Sequence, residues 1–175
     1  RHRLTTIARV PDASAATITR FLDRGVCGIV APHIETIDAA RAVVECAYFA
    51  PAGGRSFGGG RPEYGIRMES RPAYMRACND TMSVCLMIES KAGLDRAGEL
   101  AAVPGVDYLS FGMLDLAQSL GHPGEPAAPA VKSAVADATR RIHAAGKPVR
   151  EDFMRYIWIN DVLVAGAQHL LGTTP

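Results

Sequence analysis

The chain has 175 residues, 48% of them hydrophobic, and 19 lysines and arginines against 18 acidic residues give a net charge of +1. That length can bury a substantial core, while the balanced charge offers no basic face to nucleic acid or to an acidic membrane surface. No apolar run approaches the roughly 20 residues that cross a bilayer, and Arg1-His-Arg-Leu-Thr-Thr has no signal-peptide core but reads as the interior of a longer protein.

Thr5–Val10 is a short β-rich run, turned by Pro11-Asp12. Ala13–Arg24 carries Ala16, Ile18, Phe21 and Leu22 at helical spacing, with Gly25 as the stop. Cys27–Ala31 is a continuous apolar run, as a strand buried on both faces requires. Thr36 is a suitable N-cap for a helix over Ile37–Cys46. The rhythm breaks between residues 50 and 70, where Pro51-Ala-Gly-Gly-Arg-Ser-Phe-Gly-Gly-Gly-Arg-Pro62 reads as a functional loop. Its glycines Gly58 to Gly60 lack the G-K-[S/T] of a phosphate loop, so a tightly turned or mobile active-site loop is expected.

A helix over Pro72–Asn79 leads into a strand, Met82–Glu89, a helix over Ala92–Val103 closed by Pro104-Gly105, and a strand from Val106 to Asp115. A short helical stretch, the loop His122-Pro-Gly-Glu-Pro126 and a helix over Pro129–Ala145 stopped by Gly146 follow. Gly146–Val149 begins like a strand, yet Arg150–Tyr156 reads at once as a helix, and Val162–Ala165 as a last strand. These junctions are too short for a strand and a loop, so segments near Val149–Arg150 and after Pro175 are expected to be missing. A full-length mass matching 175 residues would refute that expectation.

Strands alternating with helices through short links predict an α/β fold with a parallel sheet, and residues 1–175 read as one domain. Glu89 and Asp115 each close an apolar strand on either side of one helix, so both should emerge at the carboxyl-terminal edge, where such folds carry their chemistry. Two hard oxygen ligands there suit Mg²⁺ or Mn²⁺. The four cysteines (Cys27, Cys46, Cys78, Cys85) show no C-x-x-C spacing, which predicts reduced, buried thiols and a cytoplasmic setting.

Further residues carry this reading. Pro51-Ala-Gly-Gly-Arg55, Met87-Ile-Glu89 and Phe111-Gly-Met-Leu-Asp-Leu116 occur in order, with Gly25-x-x-Gly28 before Ala31-Pro32 and Leu170-Leu-Gly near the end. In these motifs the chain resembles the HpcH/HpaI aldolases, class II pyruvate aldolases. The resemblance implies a (β/α)8 TIM barrel, here without its first strand and last helix, and reversible cleavage of a 2-oxo-4-hydroxy acid. The products would be pyruvate, or a hydroxypyruvate-like 2-oxo acid, and an aldehyde, formed through a metal-stabilised enolate. It further implies Glu89 and Asp115 as ligands of Mg²⁺, Mn²⁺ or Co²⁺ and Arg55 as the catalytic, substrate-binding cation. Gly112, Met113 and Leu114 would meet the substrate carboxylate. A homo-oligomer, a hexamer in the family, would act on small molecules, with no nucleic acid or membrane as partner.

The family's first strand, with its acidic residue and the catalytic histidine on the loop that follows, has no counterpart here. Met87 stands where many members carry glutamine, and Met113-Leu114 replaces the common Pro-Ala. No general base is therefore assigned. His33, after the Cys27–Pro32 strand, is the local candidate for proton transfer beside the plainer reading of a pocket-wall or interface residue. His122 could contact the substrate chain, and His2, His143 and His169 read as structural or exposed. Lys91 raises a Schiff-base alternative, though it opens a helix, and Lys147 begins a strand at the structural face. The rival functions are a citrate-forming or decarboxylating enzyme of oxaloacetate, and a non-catalytic barrel that binds metal and 2-oxo acid.

Overall fold

The computed structural model describes residues 5–58, 70–155 and 157–172. Four strands form one parallel sheet in the order of the chain: β1 (Ile7–Arg9), β2 (Gly28–Ala31), β3 (Ser83–Ile88) and β4 (Tyr108–Phe111). Helices α1 (Ala15–Leu22) and α2 (Ile37–Ala47) follow β1 and β2, and α3 (Arg71–Thr81) leads into β3. Between β3 and β4 run α4 (Lys91–Asp95) and α5 (Ala97–Ala101), and α6 (Met113–Ser119) and α7 (Pro129–Ala144) follow β4. Neighbouring strands in sequence order, all parallel, make the sheet an arc of a (β/α)8 barrel.

The sheet's two faces differ. Ile29, Ala31, Val84, Leu86, Ile88, Leu109 and Phe111 join the helices' Ile18, Val43, Leu100 and Ile142 in the main core. On the other face, Ile7, Val30, Cys85, Met87, Tyr108 and Met154 form a separate apolar floor, as side chains alternate along each strand. Truncating a fully buried residue such as Leu86 to alanine would cost roughly 2–5 kcal/mol. Burial on this floor pushes the Cys85 thiol up to about 12. All four cysteines are free.

Serine or threonine starts each of the first four helices. The side chains of Ser14, Thr36, Ser70 and Ser90 accept from the backbone N–H of Thr17, Ala39, Ala73 and Gly93, opening α1, α2, α3 and α4. Gly25 stops the α1 segment at φ +91°, a conformation that glycine adopts without a Cβ clash. Thr36 caps its helix as the sequence predicts.

Four elements differ from expectation. The helix expected over Ala92–Val103 is broken at Arg96, because Arg141 donates from Nη1 to the Asp95 carbonyl, which a continuous helix would use itself. The strand begun at Gly146 is a single parallel bridge, Val149 to Leu109, and the expected helix after it is one 3-10 turn, Arg150–Asp152. Asp152 closes that turn by accepting from the Val149 N–H and pairing with His143, which gives His143 a partner the sequence did not suggest. The strand expected at Val162–Ala165 lies inside a helix, α8 (Ile159–Leu171). No described strand edge reaches it, so its backbone groups are satisfied internally, and Gly172 ends it in the left-handed conformation. Its Val162, Leu163, Val164 and Leu171 are exposed.

Among the described residues, no helix is long and apolar enough to cross a membrane. His2, Gly59 and Gly60 lie outside the described residues.

Candidate metal and active site

β3 ends at Ile88 and delivers Glu89 to the carboxyl edge, where its side chain is only 2% exposed. The β2 exit loop is stitched to it: the Ile34 N–H donates to the Met87 carbonyl at 3.3 Å, and the His33 N–H donates to Glu89 Oε2 at 2.9 Å. His33 adopts φ +52°, uncommon for a residue with a Cβ, and its Nδ1 lies 3.3 Å from the same Oε2. On the other side, the Gly112 N–H donates to the Ile88 carbonyl at 3.0 Å. A Cβ at Gly112 would collide with Glu89 Oε1, so glycine is what leaves room for this carboxylate.

Asp115, expected to close the β4 strand, stands instead in the first turn of α6, just beyond Gly112. That turn still brings it to Glu89. Ligand atoms of His33, Glu89 and Asp115 lie within 4.8 Å of one another, with Glu89 buried and the other two exposed. Among the described residues, His33 is the basic side chain recorded within ion-pair distance of Glu89. Two carboxylates so close repel each other, and a buried one is costly unless paired. Hard oxygens with an imidazole are a donor set that suits a divalent cation, so these residues fit the metal that the motifs imply.

Arg55 is not brought to this cluster. It is buried, its Nη2 lies 3.6 Å from Asp23 Oδ1, and its guanidinium sits 4.7 Å above the Phe49 ring. It lines a cleft of about 360 Å³ with Thr5, Val26, Cys27, Thr81 and Met82, residues that precede β1, β2 and β3. Arg55 is therefore at the amino-terminal edge of a parallel sheet, the far side from Glu89. Its expected contact with substrate runs against this placement.

A different arginine closes a strand at the carboxyl edge. Arg9 is the last residue of β1 and pairs in register with Val30, which itself pairs with Cys85. Ile7 packs on the interior floor, so Arg9, two positions on, shares that face. The sequence offered a signal for it: a charged residue near the end of a β-rich run. Gly112, Met113 and Leu114 sit between the two carboxylates in the chain, and Leu114 is exposed. His122 donates its backbone N–H to the Ala117 carbonyl in the loop after α6, and Lys91 Nζ pairs with Asp95 at 2.6 Å on an exposed helix face.

The sequence model of the HpcH/HpaI aldolase/citrate lyase family matches residues 2–167. The chain belongs to that family. A 4-hydroxy-2-oxovalerate aldolase of Rhodococcus jostii (strain RHA1) is 36% identical over 163 residues, covering 90% of this chain and 62% of the relative. Among solved structures, a family protein of Burkholderia cenocepacia J2315 has a TM-score of 0.76 at 32% identity, covering 97% of this chain and 64% of that one. A citrate synthase has a TM-score of 0.74 at 27% identity, covering 94% of this chain and 62% of that one. The chain thus spans under two-thirds of the length of each. Its fold is the (β/α)8 barrel of these aldolases, of which the four parallel strands form an arc.

Proposed function

We infer that this family member belongs to a metal-dependent aldolase that reversibly cleaves a 2-oxo-4-hydroxy acid to pyruvate, or a hydroxypyruvate-like 2-oxo acid, and an aldehyde. The observation that carries it is the convergence of Glu89 and Asp115 at the sheet's carboxyl edge beside His33. Glu89 and Asp115 would hold a divalent cation there (Mg²⁺, Mn²⁺ or Co²⁺), which would supply Lewis-acid polarisation of the 2-oxo group during C3–C4 cleavage.

This chain's residues supply the rest. Glu89 is held in place by the His33 N–H, so its oxygens need not reorganise when the cation and substrate arrive. Gly112, Met113 and Leu114, next to both carboxylates, are the segment that meets the substrate carboxylate. Arg9, at the same edge, takes the charge-stabilising part that the motif reading gives to Arg55. Arg55 instead braces the amino edge through Asp23 and Phe49. The free thiols are consistent with a reducing cytoplasm. A single barrel domain in a homo-oligomer, hexameric by the resemblance, completes the reading.

Likeness to a citrate synthase supports one alternative, carbon–carbon bond formation on oxaloacetate. The two separate in one assay of the full-length protein. Pyruvate release from 4-hydroxy-2-oxo acids, followed with a coupled dehydrogenase and abolished by EDTA, is expected. Oxaloacetate consumption without pyruvate release from any hydroxy acid would favour the alternative.

A further inference from the structure

The motifs that mark the metal site supply two carboxylates, but the structure brings a third donor to it. We propose that His33 ligates the divalent cation through its imidazole, completing a His-Glu-Asp set whose nitrogen shifts metal preference away from Mg²⁺ toward Mn²⁺ and Co²⁺. This rests on Glu89 and Asp115 as the cation's ligands.

The geometry points to shared coordination. Two donor atoms at right angles around an octahedral ion, each about 2.1 Å from it, stand about 3 Å apart, and opposed donors about 4.2 Å apart. His33 Nδ1 lies 3.3 Å from Glu89 Oε2, and donor atoms of all three residues lie within 4.8 Å of one another. The His33–Glu89 separation matches adjacent donors on one ion, and the outer 4.8 Å bound lies just beyond that of opposed donors. Asp115 and His33 are exposed and can adjust, whereas Glu89 is fixed between the His33 N–H and Gly112.

The backbone gives a second reason. At φ +52° glycine or asparagine would be less strained, and the N–H bond to Glu89 needs no side chain. A histidine here keeps a strained conformation, and its ring turns toward the same oxygen that its own N–H holds. An imidazole donor suits Mn²⁺ and Co²⁺ better than Mg²⁺, which prefers oxygen and water.

The test is pulsed EPR of Mn²⁺ bound to the full-length protein, with metal affinities measured by calorimetry. Nitrogen modulation from a directly bound imidazole is expected in the wild type and lost in His33→Gly, which keeps the turn and the N–H bond. Co²⁺ affinity should fall at least about tenfold in that variant while Mg²⁺ affinity changes less than about threefold. Bound Mn²⁺ without nitrogen modulation in the wild type, or modulation that survives His33→Gly, overturns the proposal alone. Mn²⁺ binding that ignores Glu89→Gln overturns the carboxylate site and this proposal together.

Discussion

The two edges of the sheet each hold one buried charged side chain, and they solve its burial in opposite ways. At the amino edge, Arg55 lies beside Asp23 and over the Phe49 ring, within the protein's own packing. At the carboxyl edge, Glu89 is just as buried but faces a second carboxylate and an imidazole. The first sets opposite charges and an aromatic face against each other, whereas the second gathers like charges and gains from a cation. Burial of a charge is therefore not the mark of a site; what stands opposite it is.

Substitutions at the two edges should separate sharply. Glu89→Gln is expected to lower metal-dependent turnover at least about a hundredfold with little change in melting temperature, measured by coupled assay and calorimetry. Arg9→Ala should lower kcat/KM by about a hundredfold, again with stability kept, since its guanidinium acts at the reacting edge. Arg55→Ala should do the reverse. Loss of its ion pair and ring contact would destabilise the fold by roughly 3 kcal/mol in urea unfolding, while folded protein keeps its kcat. If Arg55→Ala removed activity without unfolding the protein, the contrast between the edges would fail.

Smaller effects sharpen the carboxyl edge. Gly112→Ala puts a Cβ against Glu89 Oε1 and should weaken Mn²⁺ binding by about tenfold, read by calorimetry. Thr36→Ala removes the cap of α2 just beyond His33 and should cost about 1 kcal/mol in unfolding, with Mn²⁺ affinity unchanged.

Much of this was legible in the sequence. Most elements up to Ala145 announce themselves by periodicity, capping residues and Gly stops, though not the break at Arg96, and Glu89 by closing an apolar run. Asp115 was legible as a residue but not as part of a helical turn, because Phe111-Gly-Met-Leu continues the apolar pattern past the strand's end. The edge at which Arg55 sits was not legible, because motif spacing does not say which edge of a sheet a loop returns to. His33 could not be tied to Glu89, since a positive φ and a contact across 56 positions leave no periodic trace. The α8 strand reading failed for a related reason: alternating valines predict a strand only where a partner edge exists.

The most direct measurement is proton NMR of pyruvate in D₂O with the full-length protein, with Mn²⁺ at trace level or Mg²⁺ added, and then with EDTA. Methyl-proton exchange that requires the metal and disappears in Glu89→Gln is the expected result. Exchange that persists in EDTA would contradict it and implicate Lys91 and a Schiff base, and no exchange under any condition would contradict enolate chemistry at this edge altogether.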